Sequence, residues 1–244
     1  MTPPAPKLVL TAHGSADPRS AANARAVAGL VTRMRPGLDV RLAFCELNAP
    51  NLVDVLDGCS GTAVVTPLLL ADAYHARADI PAQIARSRSR HRIRQANVLG
   101  EDNRLISVLL QRVADVGVSR LDETLGVVVV AIGSSNPAAN ARTSTVASKL
   151  AAATRWAGVT TAFATRPEPS LAEAANQLRR RGAHRVVIAP WFLAPGRLPD
   201  RVRTFADGAG IEMAAPLGAD RLVAETVLDR FDQALKAHAE CIAA

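Results

Sequence analysis

The chain has 244 residues, enough for one large domain or two small ones, and 49% hydrophobic against 21% charged residues is a globular rather than a disordered balance. No apolar run approaches the ~20 residues of a membrane span, and the start Met1-Thr2-Pro3-Pro4-Ala5-Pro6 lacks the charged and apolar parts of a secretion signal, so a cytoplasmic protein without a membrane partner is expected. The net charge of +7 is carried by arginine, lysine occurring only at Lys7, Lys149 and Lys236; with 3% aromatics and no nucleic-acid motif, a small polycarboxylate fits that charge as well as nucleic acid does.

In chain order, Leu8 to Thr11 is a short apolar strand. Asp17 and Pro18 supply an N-cap and a first-turn proline. Val27, Leu30, Val31 and Met34 follow at helical spacing and predict one buried face. Val40, Leu42 and Phe44 then alternate as in a strand. Residues 64–71 (Val-Val-Thr-Pro-Leu-Leu-Leu-Ala) continue into a loop, 70–81, before the next helix. The alternating arginines Arg86, Arg88, Arg90, Arg92 and Arg94 read as a solvated face. Cys45, Cys59 and Cys241 are too few and too scattered for a disulfide framework or a thiolate zinc site. His91, His184 and His238 stand in arginine-rich or polar surroundings and read as solvated.

From residue 127 the chain repeats itself. Residues 8–18 (LVLTAHGSADP) return as 127–137 (VVVVAIGSSNP), each followed by Ala-Asn-Ala-Arg, at 22–25 and 139–142. Ala43-Phe44 and residues 49–52 match Ala162-Phe163 and 168–171; 64–71 match 187–194; Leu99-Gly100-Glu101-Asp102 match Leu217-Gly218-Ala219-Asp220. Five matches in one order indicate a tandem duplication joined near Gly117 to Leu125, hence lobes of 1–121 and 122–244. Each would be an α/β layer with a mostly parallel sheet flanked by helices. The two lobes would enclose a cleft.

Ligands of such sheets sit beyond the carboxyl ends of the strands. That directs attention to His13 to Ser15, Glu46 to Asn48 and Ala71 to Arg77, and in the second copy to Ile132 to Ser135, Thr165 to Pro167 and Ala194 to Leu198. Between the copies His13 becomes Ile132, Glu46 becomes Thr165, and His75 has no counterpart. The first lobe should therefore carry the chemistry and the second should shape the cleft. Neutral imidazole ligates transition metals and accepts protons near neutral pH. Two histidines without a full ligand set would hold an ion and still surrender it. Glu46 could orient a ring, accept a proton or add a ligand.

His-Gly-Ser at 13–15 with Asp17-Pro18, Ala43-Phe44-Cys45-Glu46, and Pro67-Leu68-Leu69-Leu70 leading to His75 and Asp79-Ile80-Pro81 together resemble the class II chelatases, in particular the sirohydrochlorin cobaltochelatases and ferrochelatases. The resemblance implies insertion of Co2+ or Fe2+ into a tetrapyrrole, for cobalamin or siroheme synthesis, with release of two protons and no permanently bound cofactor. It implies metal ligation by His13 and His75, with His13 also a proton acceptor, and contact of Leu70, Ala71, Asp72, Ala73 and Tyr74 with substrate. Gly14 and Ser15 would border the same substrate, and Glu46 matches an acidic position of longer members. Arg197, from the second copy, is expected to pair with a substrate carboxylate through its fork of donors. A duplicated chain can supply internally what a shorter member obtains by pairing, so a monomer is expected. Two alternatives stand beside this one: a non-catalytic tetrapyrrole or metal carrier, and a histidine phosphatase, whose Arg-His-Gly motif has Ala12 here in place of arginine.

Overall fold

The computed structural model describes residues 5–165 and 169–243, so Arg166 and Pro167 of the expected strand-end set, Glu168 of the repeat, and the side chains of His238 and Cys241 lie outside the described residues. Two parallel four-stranded sheets form. The first comprises β1 (Lys7–Ala12), β2 (Val40–Phe44), β3 (Ala63–Pro67) and β4 (Ile93–Gln95) in the order β2-β1-β3-β4. The second comprises β5 (Leu125–Ala131), β6 (Gly158–Phe163), β7 (Arg185–Pro190) and β8 (Glu212–Met213) in the order β6-β5-β7-β8. The expected pair of similar α/β lobes is thus found. Every residue of β1, β3 and β5 is buried, as continuous apolar strands covered on both faces must be.

The connecting helices begin where local chemistry says they should. Helix α1 (Pro18–Met34) is capped by the Asp17 side chain, which accepts from the Arg19 amide, with Pro18 in the first turn. Its buried stripe is Ala21, Ala24, Val27 and Val31, while Leu30 and Met34 are only half-buried: the small alanines let the helix settle on the sheet and shift the contact line towards them. Helix α5 (Pro137–Ala152) repeats the start, with Asn136 accepting from the Ala138 amide. Helices α2 (Leu52–Asp57) and α6 (Leu171–Arg180) begin at Asn51 and Ser170, the latter in a capping box with Glu173. After β3 and β7 come α3 (Ile80–Arg86) and α7 (Arg197–Gly208).

The last helix of each repeat does not stay with its own repeat. Two compact units form, one holding the described residues up to Gly100 together with those from Ala219 onward, the other Glu101–Gly218. Helix α4 (Asn103–Ala114), from the first repeat, therefore lies in the second unit against β7 and α5, and α8 (Arg221–Ala243), from the second repeat, lies in the first unit against α1 and β3. This differs from lobes of 1–121 and 122–244. The sequence repeats are intact, but the terminal helix of each packs in the unit built on the other repeat's sheet. Helix α4 buries Leu105, Ile106, Val108, Leu109, Leu110 and Val113, and Arg112 donates to the Leu217 carbonyl at 3.0 Å. In the first unit Arg35 grips Asp232 through two bonds of 2.6 and 2.7 Å, and Arg230 donates to the carbonyls of Val98 and Leu99. No helix among the described residues is long and apolar enough to cross a membrane.

Candidate functional site

In the first sheet the chain leaves β1 towards β2 on one side, then returns to β3 on the other and continues to β4. The direction of winding reverses between β1 and β3, and a crevice opens at the carboxyl ends of strands that flank such a reversal. His13 directly follows β1, and His75 closes the loop after β3. Their rings meet edge to face, centroids 3.9 Å apart at 83°. Strand register brings the third member in: Ala12 is level with Phe44, so Glu46 emerges beside His13, with His13 Nε2 3.3 Å from Glu46 Oε1.

Gly14 makes that approach possible. Its φ is +100°, and a Cβ there would sit 1.8 Å from the Glu46 carbonyl oxygen, so no side chain fits without displacing the Glu46 segment. The Glu46 amide donates to the His13 carbonyl at 3.0 Å, and the Ser15 amide donates to Asn48 Oδ1 at 2.7 Å. Ser15 Oγ accepts from the Asp17 amide. Ser134 does the same for Asn136 in the second unit, and Gly133 has a φ of 93°, so in both units the glycine and serine build the turn.

Hydrogen bonding fixes which nitrogen of each imidazole is free. His13 Nδ1 lies 2.8 Å from the Gly14 carbonyl, which can only accept, so Nδ1 carries the proton and Nε2 presents its lone pair. Opposite that lone pair stands the Glu46 carboxylate, another acceptor. The gap between them attracts a cation, whether a proton or a metal ion. His75 Nδ1 likewise faces Asp79 Oδ2 at 3.2 Å, leaving its Nε2 bare. Among the described residues no group of three or more His, Cys, Asp or Glu side chains is arranged to hold a metal ion. The arrangement is a pair of imidazoles with one carboxylate at the edge of the first, an open set rather than a closed cage.

The loop expected over 70–81 is more ordered than its sequence suggests. His75–Asp79 wind into a π-helical turn closed by the Ile80 amide donating to the His75 carbonyl, and α3 continues from it. Within the expected substrate-contacting segment, Leu70, Ala71, Asp72 and Ala73 are half-buried, Asp72 is paired with Arg77 at 2.6 Å, and Tyr74 is 71% exposed. Leu47, beside Glu46, is also largely exposed and adopts a left-handed φ of 60°. Arg197 is exposed at the first turn of α7, in the other unit. Burial, then the carboxylates of Asp79 and Glu46, push the Cys45 thiol up to about 12, so in the metal-free protein it stays protonated at neutral pH. The arginines at 86, 88, 90, 92 and 94 are all exposed, as expected, and residues 86–92 precede β4, at the end of the sheet away from His13. Sequence reading placed Asn48 in a strand-end set and Asp79 in a motif without giving either a role, and it did not single out Gln83. The spacing His75 to Asp79 was the available signal, and it carries meaning only once the segment is wound.

With this geometry in hand, known proteins offer a direct comparison. Residues 7–116 and 126–234 each match the CbiX family model, one match per repeat. The sirohydrochlorin ferrochelatase of Priestia megaterium is 26% identical over 201 residues, covering 78% of this chain and 74% of its own length. The sirohydrochlorin cobaltochelatase of the same organism is 27% identical, covering 80% of this chain and 66% of its own length. The fold is shared with SirB from Bacillus subtilis with Fe3+, at a TM-score of 0.82 and 24% identity over 96% of this chain and 97% of that one. It is shared also with CbiX, described as the terminal enzyme of siroheme biosynthesis in denitrifying bacteria, at a TM-score of 0.70 and 23% identity over 93% and 99%.

Proposed function

Since the chain belongs to the CbiX family, we propose that it is a sirohydrochlorin chelatase, inserting Co2+ or Fe2+ into the tetrapyrrole for cobalamin or siroheme synthesis. The observation that carries this reading is the pair of imidazoles 3.9 Å apart at the strand ends that flank the winding reversal, each with its Nδ1 proton held by an acceptor. The metal ion is a substrate. His13 Nε2 and His75 Nε2 would hold it in an open set that can release it, and Glu46 would lower the cost of the positive charge beside His13.

Metallation exchanges one divalent cation for two pyrrole protons. As the ion passes into the macrocycle, the lone pair of His13 Nε2 is vacated and takes one of those protons, and the resulting imidazolium donates to Glu46 across the 3.3 Å gap. The second proton leaves through solvent, to which the half-exposed Glu46 side chain is open. The macrocycle would rest against the loop from Leu70 to Tyr74, beside Gly14 and Ser15. A monomer in the cytoplasm is the setting we assign, in keeping with the free thiols of Cys45 and Cys59. Family membership removes the support for a histidine phosphatase.

The test is anaerobic incubation with sirohydrochlorin in excess and Co2+ or Fe2+, followed by absorbance. Conversion of many equivalents per chain is expected. A single stoichiometric spectral change would replace the enzyme by a carrier.

A further inference from the structure

Behind the histidines lies a second layer of contacts that metal ligation alone does not require. Asp79 Oδ2 accepts from His75 Nδ1 at 3.2 Å, and its other oxygen, Oδ1, accepts from Gln83 Nε2 at 3.0 Å. Gln83 Nε2 also donates to the Cys45 carbonyl at 3.2 Å. Both partners of that nitrogen are pure acceptors, so the orientation of the Gln83 amide is fixed. Residues 75, 79 and 83 follow one another four apart along the π turn and α3, which places the three side chains in succession on one face. The contacts close a circuit: His75, Asp79, Gln83, the backbone of Cys45, Glu46 and His13 are linked in order, with the 3.3 Å gap between Glu46 and His13, and the contact of the two imidazole rings closes it.

We propose that Asp79 and Gln83 are positioning residues that brace His75: Asp79 fixes the proton on Nδ1 and so reserves Nε2 for the metal, and Gln83 ties Asp79 to the segment that carries Glu46. If His75 is a metal ligand, as proposed above, this brace sets both the tautomer and the distance of the second imidazole from the first. A ring without it can rotate about its side-chain bonds and populate the tautomer that leaves no lone pair on Nε2. Partners of this kind behind metal-bound imidazoles typically alter affinity by roughly 10–100-fold. The wide turn contributes as well. It sets His75 at its first residue and Asp79 at its last, and such turns recur at functional sites.

The experiment uses the full chain with Co2+ alone as probe, followed by visible absorbance and competition. It is paired with long-range 15N–1H spectra of the metal-free imidazoles above neutral pH. Asp79→Ala should shift His75 towards the Nε2–H tautomer and weaken Co2+ binding roughly 10–100-fold. Asp79→Asn, whose carbonyl can still accept from Nδ1, should recover the tautomer and most of the affinity. Gln83→Ala should keep the tautomer and weaken Co2+ binding several-fold. An unchanged tautomer and Co2+ affinity in Asp79→Ala, with binding lost in His75→Ala, would overturn the brace and leave the metal site standing. Unchanged Co2+ binding in His75→Ala would remove the site reading and the brace together.

Discussion

The two units place different side chains on one backbone. Cys45 and Glu46 donate their amides to the carbonyls of Ala12 and His13 at 3.0 Å each; Ala164 and Thr165 donate theirs to Ala131 and Ile132 at 2.8 and 3.1 Å. Leu68 bonds back to Thr11 as Trp191 does to Val130, and Ala96 to Val65 as Ala214 does to Ile188. On this shared frame the first unit sets His13 and Glu46 where the second sets Ile132, 49% exposed, and Thr165, whose hydroxyl turns back to the Ile132 carbonyl at 2.6 Å. The π turn that carries His75 and Asp79 is replaced in the second unit by a direct entry into α7 behind Gly196. A hydrogen-bonded strand-end frame thus tolerates complete replacement of the chemistry mounted on it, since the bonds just named join main-chain groups.

That contrast can be broken most sharply at position 13. His13→Ala should lower the turnover number in the chelation assay by roughly 100–10,000-fold with little change in melting temperature. Adding Ile132→His should restore nothing; recovery would mean that the two strand ends are interchangeable. Next in size is a packing change that asks which unit owns α4. Leu109→Ala, at a fully buried position, should cost about 2–5 kcal/mol, with hydrogen-exchange protection lost in β5 and β7 while β1 and β3 keep theirs. Protection lost first in β1 would contradict the exchange of helices. Gly14→Ala should cost on the order of 2–4 kcal/mol by denaturant titration, from the forced left-handed backbone and the displaced Glu46 segment, and should lower activity through that displacement.

The smallest expected effect is on acid stability. Asp39 is held below the usual carboxylate range chiefly by its bond from Arg41, Asp57 chiefly by the Ser87 hydroxyl, and Asp122, in the second unit, chiefly by the Thr124 hydroxyl. A carboxylate whose folded pKa is depressed contributes stability above its unfolded value, near 4, and loses it as pH falls through the folded value. Melting temperature should therefore decline below about pH 4. Asp57→Asn should flatten the decline of the first unit, and a steeper decline in that variant would reverse the assignment.

Much of this organisation is legible in the sequence because it is local or duplicated. Asp17-Pro18 and Asn136-Pro137 announce helix starts by capping chemistry that needs no tertiary context. The differences at 13 and 46 stand out because a second copy is available for subtraction. The π turn was not legible: Pro81 marks a helix start, but nothing in residues 70–79 signals a wide turn before it, and without the turn Asp79 has no reason to meet His75. The exchange of α4 and α8 was equally hidden. The apolar face of each helix shows that it is buried, but not against which sheet.

That exchange makes the duplicated chain indivisible. A polypeptide severed between Gly117 and Leu125 would leave β1 to β4 without the helix whose Val223, Ala224, Val227, Leu228 and Phe231 are buried in the first unit, while retaining α4 with no sheet of its own to cover. Such a half would bare an oily groove and carry a stray oily helix, each the complement of the other on a second copy. Reciprocal trading of helices between copies would then be its way back to a closed core.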